Sequence, residues 1–281
     1  MKQSLRNYYF FIIIISLFTN STFPWGDEGH SLIGRMSTQY FPKAMKEFTT
    51  YKDYLNEHSK DPDSRKKDDK SEGMKHFIDI DFYKEFQNGK MVFSKDSLLK
   101  SYTEKDINKN GILPWATLET YNKLTKAFKD KNKDKVLLYI TDLSHYVGDG
   151  HQPMHSLTNY DGQLSGQKGL HFRYEITMVD ANIKELETSF KYKEVEYVAN
   201  PLNFIFAYIT NTNILSSIVF DADTYAFNLC KQRTGDEYYR LLWFRTSYIT
   251  KLEINDAAYD LACLIYSAWK DAGKPSFKKI K

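Results

Sequence analysis

His145-Tyr-Val-Gly-Asp149-Gly-His-Gln-Pro-Met-His155 is the stretch on which the reading of this chain turns. Apolar Val136, Leu137, Tyr139, Ile140, Leu143 and Val147 recur at helical spacing over 134–148, and Gly148, Gly150 and Pro153 stop the pattern. On such a helix His145 and Asp149 lie four residues apart, project from one face and can grip one metal ion. His155 follows just past the helix end, and a second pair at the same spacing, His171 and Glu175, follows one loop later. A single His-x-x-x-Asp is more often an ordinary i,i+4 polar pair, so the weight rests on the convergence of the three groups. Imidazole nitrogen with carboxylate oxygen is a donor mix that suits zinc and leaves positions for water.

Working outward, the apolar residues Leu32, Ile33, Met36, Tyr40, Phe41, Met45, Phe48 and Tyr51 predict a helix over 31–56. The charged run 57–73, which contains Pro62, predicts an exposed loop, and His76-Phe-Ile-Asp-Ile-Asp81 is short and extended in character. Further helices are expected over 115–129, from about Leu170, and over 198–232 and 252–272, with a turn-rich loop at 158–169. Strand signals are sparse and no internal repeat is present, so one all-α domain over 25–281 is the economical reading.

Composition narrows the function classes. The 281 residues are 42% hydrophobic and 16% aromatic, enough to bury a sizeable core. Lys plus Arg number 39 against 36 Asp plus Glu, so no global field draws a polyanion, and a nucleic acid would be held locally. Residues 1–24 place Lys2 and Arg6 before the apolar run 8–18, the pattern of a secretory signal peptide. The competing reading is an uncleaved anchor; no later segment reads as an apolar run of transmembrane length. Cys230 and Cys263 are the only cysteines, and either a disulfide or two buried thiols fits them.

Distributed motifs then bring in a family. Trp25-Gly-Asp-Glu-Gly-His30 follows the leader; Asp61, with Asp63 as rival, precedes His76 in an aromatic stretch; His145, Asp149 and His155 sit in Gly-Asp-x-x-Gln-Pro-x-His wording; His171 and Glu175 close the set. In these motifs, spanning 25–175, the chain resembles the superfamily of zinc-dependent phospholipases C and single-strand-specific zinc nucleases. The resemblance implies an all-helical fold with three Zn²⁺ clustered in a cleft. It implies that Asp61, His76, His145 and Asp149 hold one ion, that Trp25, His30 and a bridging Asp149 hold a second, and that His155, His171 and Glu175 hold the third. Hydroxide generated at the paired metals would attack phosphorus, which gives Asp61 and Asp149 catalytic parts. Phe77 and Asp79 would stack on and bond a base, although Phe77 fits an ordinary core position equally well. An arginine that assists the phosphate three residues after the family's loop aspartate is Ser64 here, with Arg65 one position late.

His58 and His151 have no place in this pattern, and His151 reads as exposed or at the rim of the site. Asp142, one turn before His145, either orients that ring or lies on the helix surface. The function expected is a secreted or periplasmic zinc phosphodiesterase, first a nuclease on single-stranded RNA or DNA with 3′-nucleotidase activity. A zinc phospholipase C acting on phosphatidylcholine-like lipid is the alternative, for which Glu175 speaks, and a helical protein with structural zinc is the third. The chain reads as a monomer with no protein partner implied.

Overall fold

Helix caps and stops set the element boundaries. The computed structural model describes residues 25–90, 94–276 and 280; the signal peptide expected at 1–24 lies outside them. In order come α1 (Gly26–Ser37), α2 (Lys52–His58), α3 (Asp61–Arg65), three short helices α4 (Lys84–Gln87), α5 (Lys95–Leu98) and α6 (Glu104–Lys109), then α7 (Leu113–Asp130) and α8 (Lys133–Gly150). After a loop, α9 (Leu170–Phe172) runs through a π-helical stretch, Arg173–Met178, into α10 (Val179–Glu187), and the long α11 (Pro201–Cys230) and α12 (Asp236–Asp271) complete the chain. Among the described residues there is no strand, and the all-α expectation holds.

Local chemistry explains the boundaries. Lys131 in the left-handed region ends α7, and the Asn132 side chain, accepting from the Lys135 amide at 2.9 Å, starts α8. The helix expected over 31–56 breaks after Ser37, because Phe41 precedes Pro42 and takes an extended backbone; 3₁₀ turns carry the chain on to α2. The run 57–73 is not simply exposed: it forms α3 and buries Ser59, Asp63 and Glu72. The segment 76–81 forms no strand but leads into a 3₁₀ turn at Ile80–Phe82. The last helix starts at Asp236, well before the expected 252.

One apolar core joins Leu32 and Ile33 of α1, Leu124 and Phe128 of α7, Ile140, Leu143 and Val147 of α8, and Leu261, Leu264 and Ile265 of α12. Burying each such side chain is worth about 1.5–3 kcal/mol, and together they fix α8 against α1. A second core packs Ile78 and Ile80 with Ile205 and Ile209 of α11, pinning the segment that follows His76. Gly111 lets this segment pass. Its φ is +84°, and a Cβ there would lie 2.0 Å from the Phe77 carbonyl oxygen.

Helix α11 is long and apolar enough by length and composition to cross a bilayer, against the expectation that no segment after residue 24 has that character. Its buried face nevertheless carries polar groups with partners in the fold. Asp223 accepts from Arg173 and Arg233, and the Thr212 hydroxyl bonds to Glu253 of α12. Cys230 and Cys263 are both free thiols, so the disulfide alternative is not realised.

Candidate metal centre

The site is assembled where α1 and α8 cross. Gly148 permits the approach, since a Cβ there would stand 2.9 Å from His30 Nδ1. The His30 and His145 rings therefore stack with centroids 3.9 Å apart, and the Trp25 indole N–H donates to the Gly148 carbonyl at 2.7 Å. The Trp25 carbonyl accepts the Gly29 amide at 3.0 Å, in the first turn of α1.

Backbone carbonyls set the tautomers of two rings. His145 Nδ1 lies 2.8 Å from the Ser59 carbonyl, and His155 Nδ1 lies 2.7 Å from the His76 carbonyl. A carbonyl can only accept, so each Nδ1 carries the proton and each Nε2 turns inward as a free donor of its lone pair. His145 Nε2 then faces Asp149 Oδ2 at 3.3 Å and Asp63 Oδ1 at 3.6 Å, and His76 Nδ1 faces Asp149 Oδ2 at 2.9 Å. His155 Nε2 stands 3.1 Å from His171 Nε2 and 3.4 Å from Glu175 Oε1, and His171 Nε2 stands 2.5 Å from Glu175 Oε2.

Three groups thus have ligand atoms within 4.8 Å of one another: His30, Asp63 and His145; His76, His145 and Asp149; and His155, His171 and Glu175. Both His30 nitrogens, both Asp149 oxygens and Glu175 Oε1 are buried without a hydrogen-bond partner. Desolvating that many lone pairs is costly unless something positive sits among them. The donor set fits a metal ion, and its mixture of imidazole and carboxylate suits zinc.

The electrostatics reflect the same crowding of imidazoles and carboxylates. Burial disfavours charge on Asp149, yet His145 and His155 outweigh it and hold its carboxyl well below the usual range. Burial is likewise overcome at Glu175, which His171 and His155 bring down to about 2, and at His155, which Glu175 and Asp149 lift to about 9. His30, buried and stacked on His145, is pushed the other way, towards the neutral ring that ligation requires.

Against the sequence-derived set, the structure brings together His30, His76, His145, Asp149, His155, His171 and Glu175, with Trp25 beside them. Asp61 does not join. Its carboxylate is half exposed and bonds His58 Nδ1 at 2.8 Å, because it opens α3 and points away from α8. Asp63, two residues on, is buried in its place. Phe77 and Asp79 line a cavity of about 310 Å³ with Lys66, His76, His155, Tyr160 and His171, so Phe77 is not a core residue. His151 is neither exposed nor at the rim: it is buried, bonded to the Val147 carbonyl and to Asp260, and stacked on Tyr208. Asp142 pairs with Arg65 at 2.8 Å and does not touch His145.

The S1/P1 nuclease family model matches residues 25–200. This chain belongs to the S1/P1 nuclease family. The match begins at Trp25 and takes in every residue of the three ligand groups, leaving α11 and α12 beyond it. It places the chain in the phospholipase C/P1 nuclease superfamily, whose S1/P1 branch is zinc-dependent, hydrolyses phosphodiesters and is typically secreted. No curated protein matches the chain by sequence.

Sequence reasoning missed Lys66, Tyr160 and Glu72. Lys66 was findable once Asp63 replaced Asp61, because it stands three residues later, the spacing at which the family carries its phosphate-assisting cation. Its Nζ lies 2.6 Å from Asp63 Oδ1 while it lines the cavity. Tyr160 had no signal beyond being an aromatic in a turn-rich loop, and it meets the His171 ring edge-on at 5.9 Å.

Proposed function

We propose that this chain is an exported zinc phosphodiesterase that cleaves single-stranded RNA or DNA and removes 3′-phosphates from nucleotides. The observation that supports this best is the cavity beside the ligand groups, where Phe77, Tyr160 and Asp79 surround a space next to His76, His155 and His171. Two aromatic rings and a carboxyl suit a nucleobase: the rings offer faces to stack on, and Asp79 offers a hydrogen-bonding edge. A base held there puts the attached phosphate against the histidines.

The residues divide the work accordingly. His30, Asp63, His76, His145 and Asp149 would hold two ions with Asp149 between them, and His155, His171 and Glu175 a third. Zinc so held supplies a water acidic enough to be a nucleophile near neutral pH and neutralises charge gathering on the phosphate. Lys66 lines the cavity, and its ammonium would favour the phosphate oxygens. Asp63, paired with Lys66, keeps that ammonium close to the ligand groups.

The second reading, a phospholipase C on phosphatidylcholine-like lipid, is favoured by Glu175 as the carboxylate of its group and by the exposed side chains of Phe172, next to His171 in the chain, and of Leu164 in the preceding loop. A side-by-side assay decides between them: purified protein, with and without chelator, on single-stranded nucleic acid and on phosphatidylcholine vesicles. Chelator-sensitive cleavage of the nucleic acid is expected. Cleavage of lipid alone would replace the first reading, and hydrolysis of neither would leave the metal a structural part.

A further inference from the structure

His76 turns Nδ1 towards the ligand groups, 2.9 Å from Asp149 Oδ2 and 3.5 Å from Asp63 Oδ1. Its other nitrogen, Nε2, is buried, has no hydrogen-bond partner, and faces Glu72 Oε1 at 3.6 Å. A histidine that gives Nδ1 to a metal keeps its proton on Nε2, and that proton needs an acceptor.

Glu72 is built to be one. It is buried, stands four residues before His76 across the 3₁₀ turn Gly73–Lys75, and is held on every side. The Tyr146 hydroxyl donates to Oε1, Lys75 Nζ donates to Oε2 at 2.7 Å, and Arg65, anchored in turn by Asp142 at 2.8 Å, approaches Oε1 at 3.4 Å. Tyr146 also packs edge-on against the His76 ring, with centroids 5.7 Å apart. These partners tie together α3, the turn before His76 and α8, the segments that bring Asp63, His76 and His145 to the site.

We infer that Glu72 is a positioning residue, the outer carboxylate of a carboxylate–histidine–metal relay that fixes the His76 ring with Nδ1 inward. The inference rests on the metal-binding reading of the site. A small swing of the ring shortens the Nε2 to Oε1 separation to roughly 3 Å, the length of an ordinary hydrogen bond. Burial opposes charge on Glu72, but the Lys75 ammonium, the Arg65 guanidinium and the Tyr146 hydroxyl gathered on its oxygens favour the carboxylate form. An ionised acceptor makes the imidazole a stronger ligand, and loss of such a partner typically costs 10–100-fold in metal affinity.

The experiment compares wild type, Glu72→Gln and Tyr146→Phe by metal counting and by zinc competition against a chromophoric chelator, with melting of the metal-free proteins as a control for folding. Glu72→Gln is expected to weaken one zinc by roughly 10–100-fold, with Tyr146→Phe in between and metal-free melting little changed. Nitrogen NMR of the zinc-loaded wild type should show His76 protonated at Nε2. Wild type that takes up no zinc would defeat the metal-binding reading itself. Wild type that binds zinc while Glu72→Gln binds it within twofold as tightly, or a Gln variant whose loss appears equally in metal-free melting, would overturn the role given to Glu72.

Discussion

Asp63 Oδ1 lies 3.5 Å from His76 Nδ1, while Asp61, two residues earlier, is turned out to the surface against His58. Helix α3 explains the difference: residues two apart point about 200° apart around a helix, so only one of the two can face α8. Asp63→Asn should therefore strip metal and abolish hydrolysis, whereas Asp61→Asn should keep both. The exposed Asp61–His58 pair is worth at most about 1 kcal/mol, so its loss should barely move the melting temperature. Metal counting on the two variants checks this, and metal loss from the Asp61 variant would restore the spacing-based assignment.

Asp149 presents its two oxygens to different partners, Oδ1 to His30 at 3.4 Å and Oδ2 to His76 at 2.9 Å and His145 at 3.3 Å. Of the ligand groups, His171 meets members of the third, His155 and Glu175. Asp149→Ala should accordingly cost two zinc ions and His171→Ala one, as read by native mass spectrometry. Equal losses would contradict a carboxylate shared between ions.

Gly148→Ala tests the crossing of α1 and α8. The added methyl meets His30 Nδ1 at 2.9 Å and Cε1 at 3.0 Å, so the ring must leave its stack on His145. Overpacking of this kind typically costs about 1–3 kcal/mol. The expected result is a folded protein with a lower melting temperature and one zinc fewer; unchanged metal content would mean that the ring position is not what the ion needs.

How much of this was legible in the sequence depends on range. His145, Asp149 and the helix that carries them follow from i,i+4 spacing and apolar periodicity, and the structure keeps both. The Asp63 position was not decidable, because a five-residue helix inside a charged run leaves no periodic pattern from which to choose a face. His151 was misjudged for a related reason: its burial depends on Asp260 and Tyr208, 109 and 57 residues away, which no local pattern reports. Glu72 stood at helical spacing from His76, but only the fold supplies the Tyr146 and Arg65 contacts that give it a part.

Asp79 gives the protein a pH signature. Burial, and then the neighbouring Asp81, push its carboxyl up to about 7 from an ordinary 3.8, with Lys109 opposing weakly. The folded state then holds the proton more tightly than the unfolded chain. The resulting stability is complete below about pH 4 and is lost as pH rises through 7. Asp79→Asn cannot ionise and lacks this slope. Melting curves of the zinc-loaded proteins should show the variant gaining on wild type between pH 4 and 7 and holding a constant lead above; a difference that does not change with pH would mean Asp79 titrates normally.

Phe77 and Tyr160 both line the cavity beside His155 and His171, which makes them the test of what the substrate brings there. If a base occupies the space, stacking contributes about 1–3 kcal/mol, so Phe77→Ala should raise KM for a single-stranded oligonucleotide roughly 5- to 150-fold. The ligand groups are untouched, so kcat on a small diester with no base, such as bis(p-nitrophenyl) phosphate, should stay near wild type. Tyr160→Ala should follow the same split, to a smaller degree because its ring also rests on His171. Loss of turnover on both substrates would show that the rings support the metal site itself, and an effect confined to phosphatidylcholine vesicles would hand the cavity to a lipid headgroup.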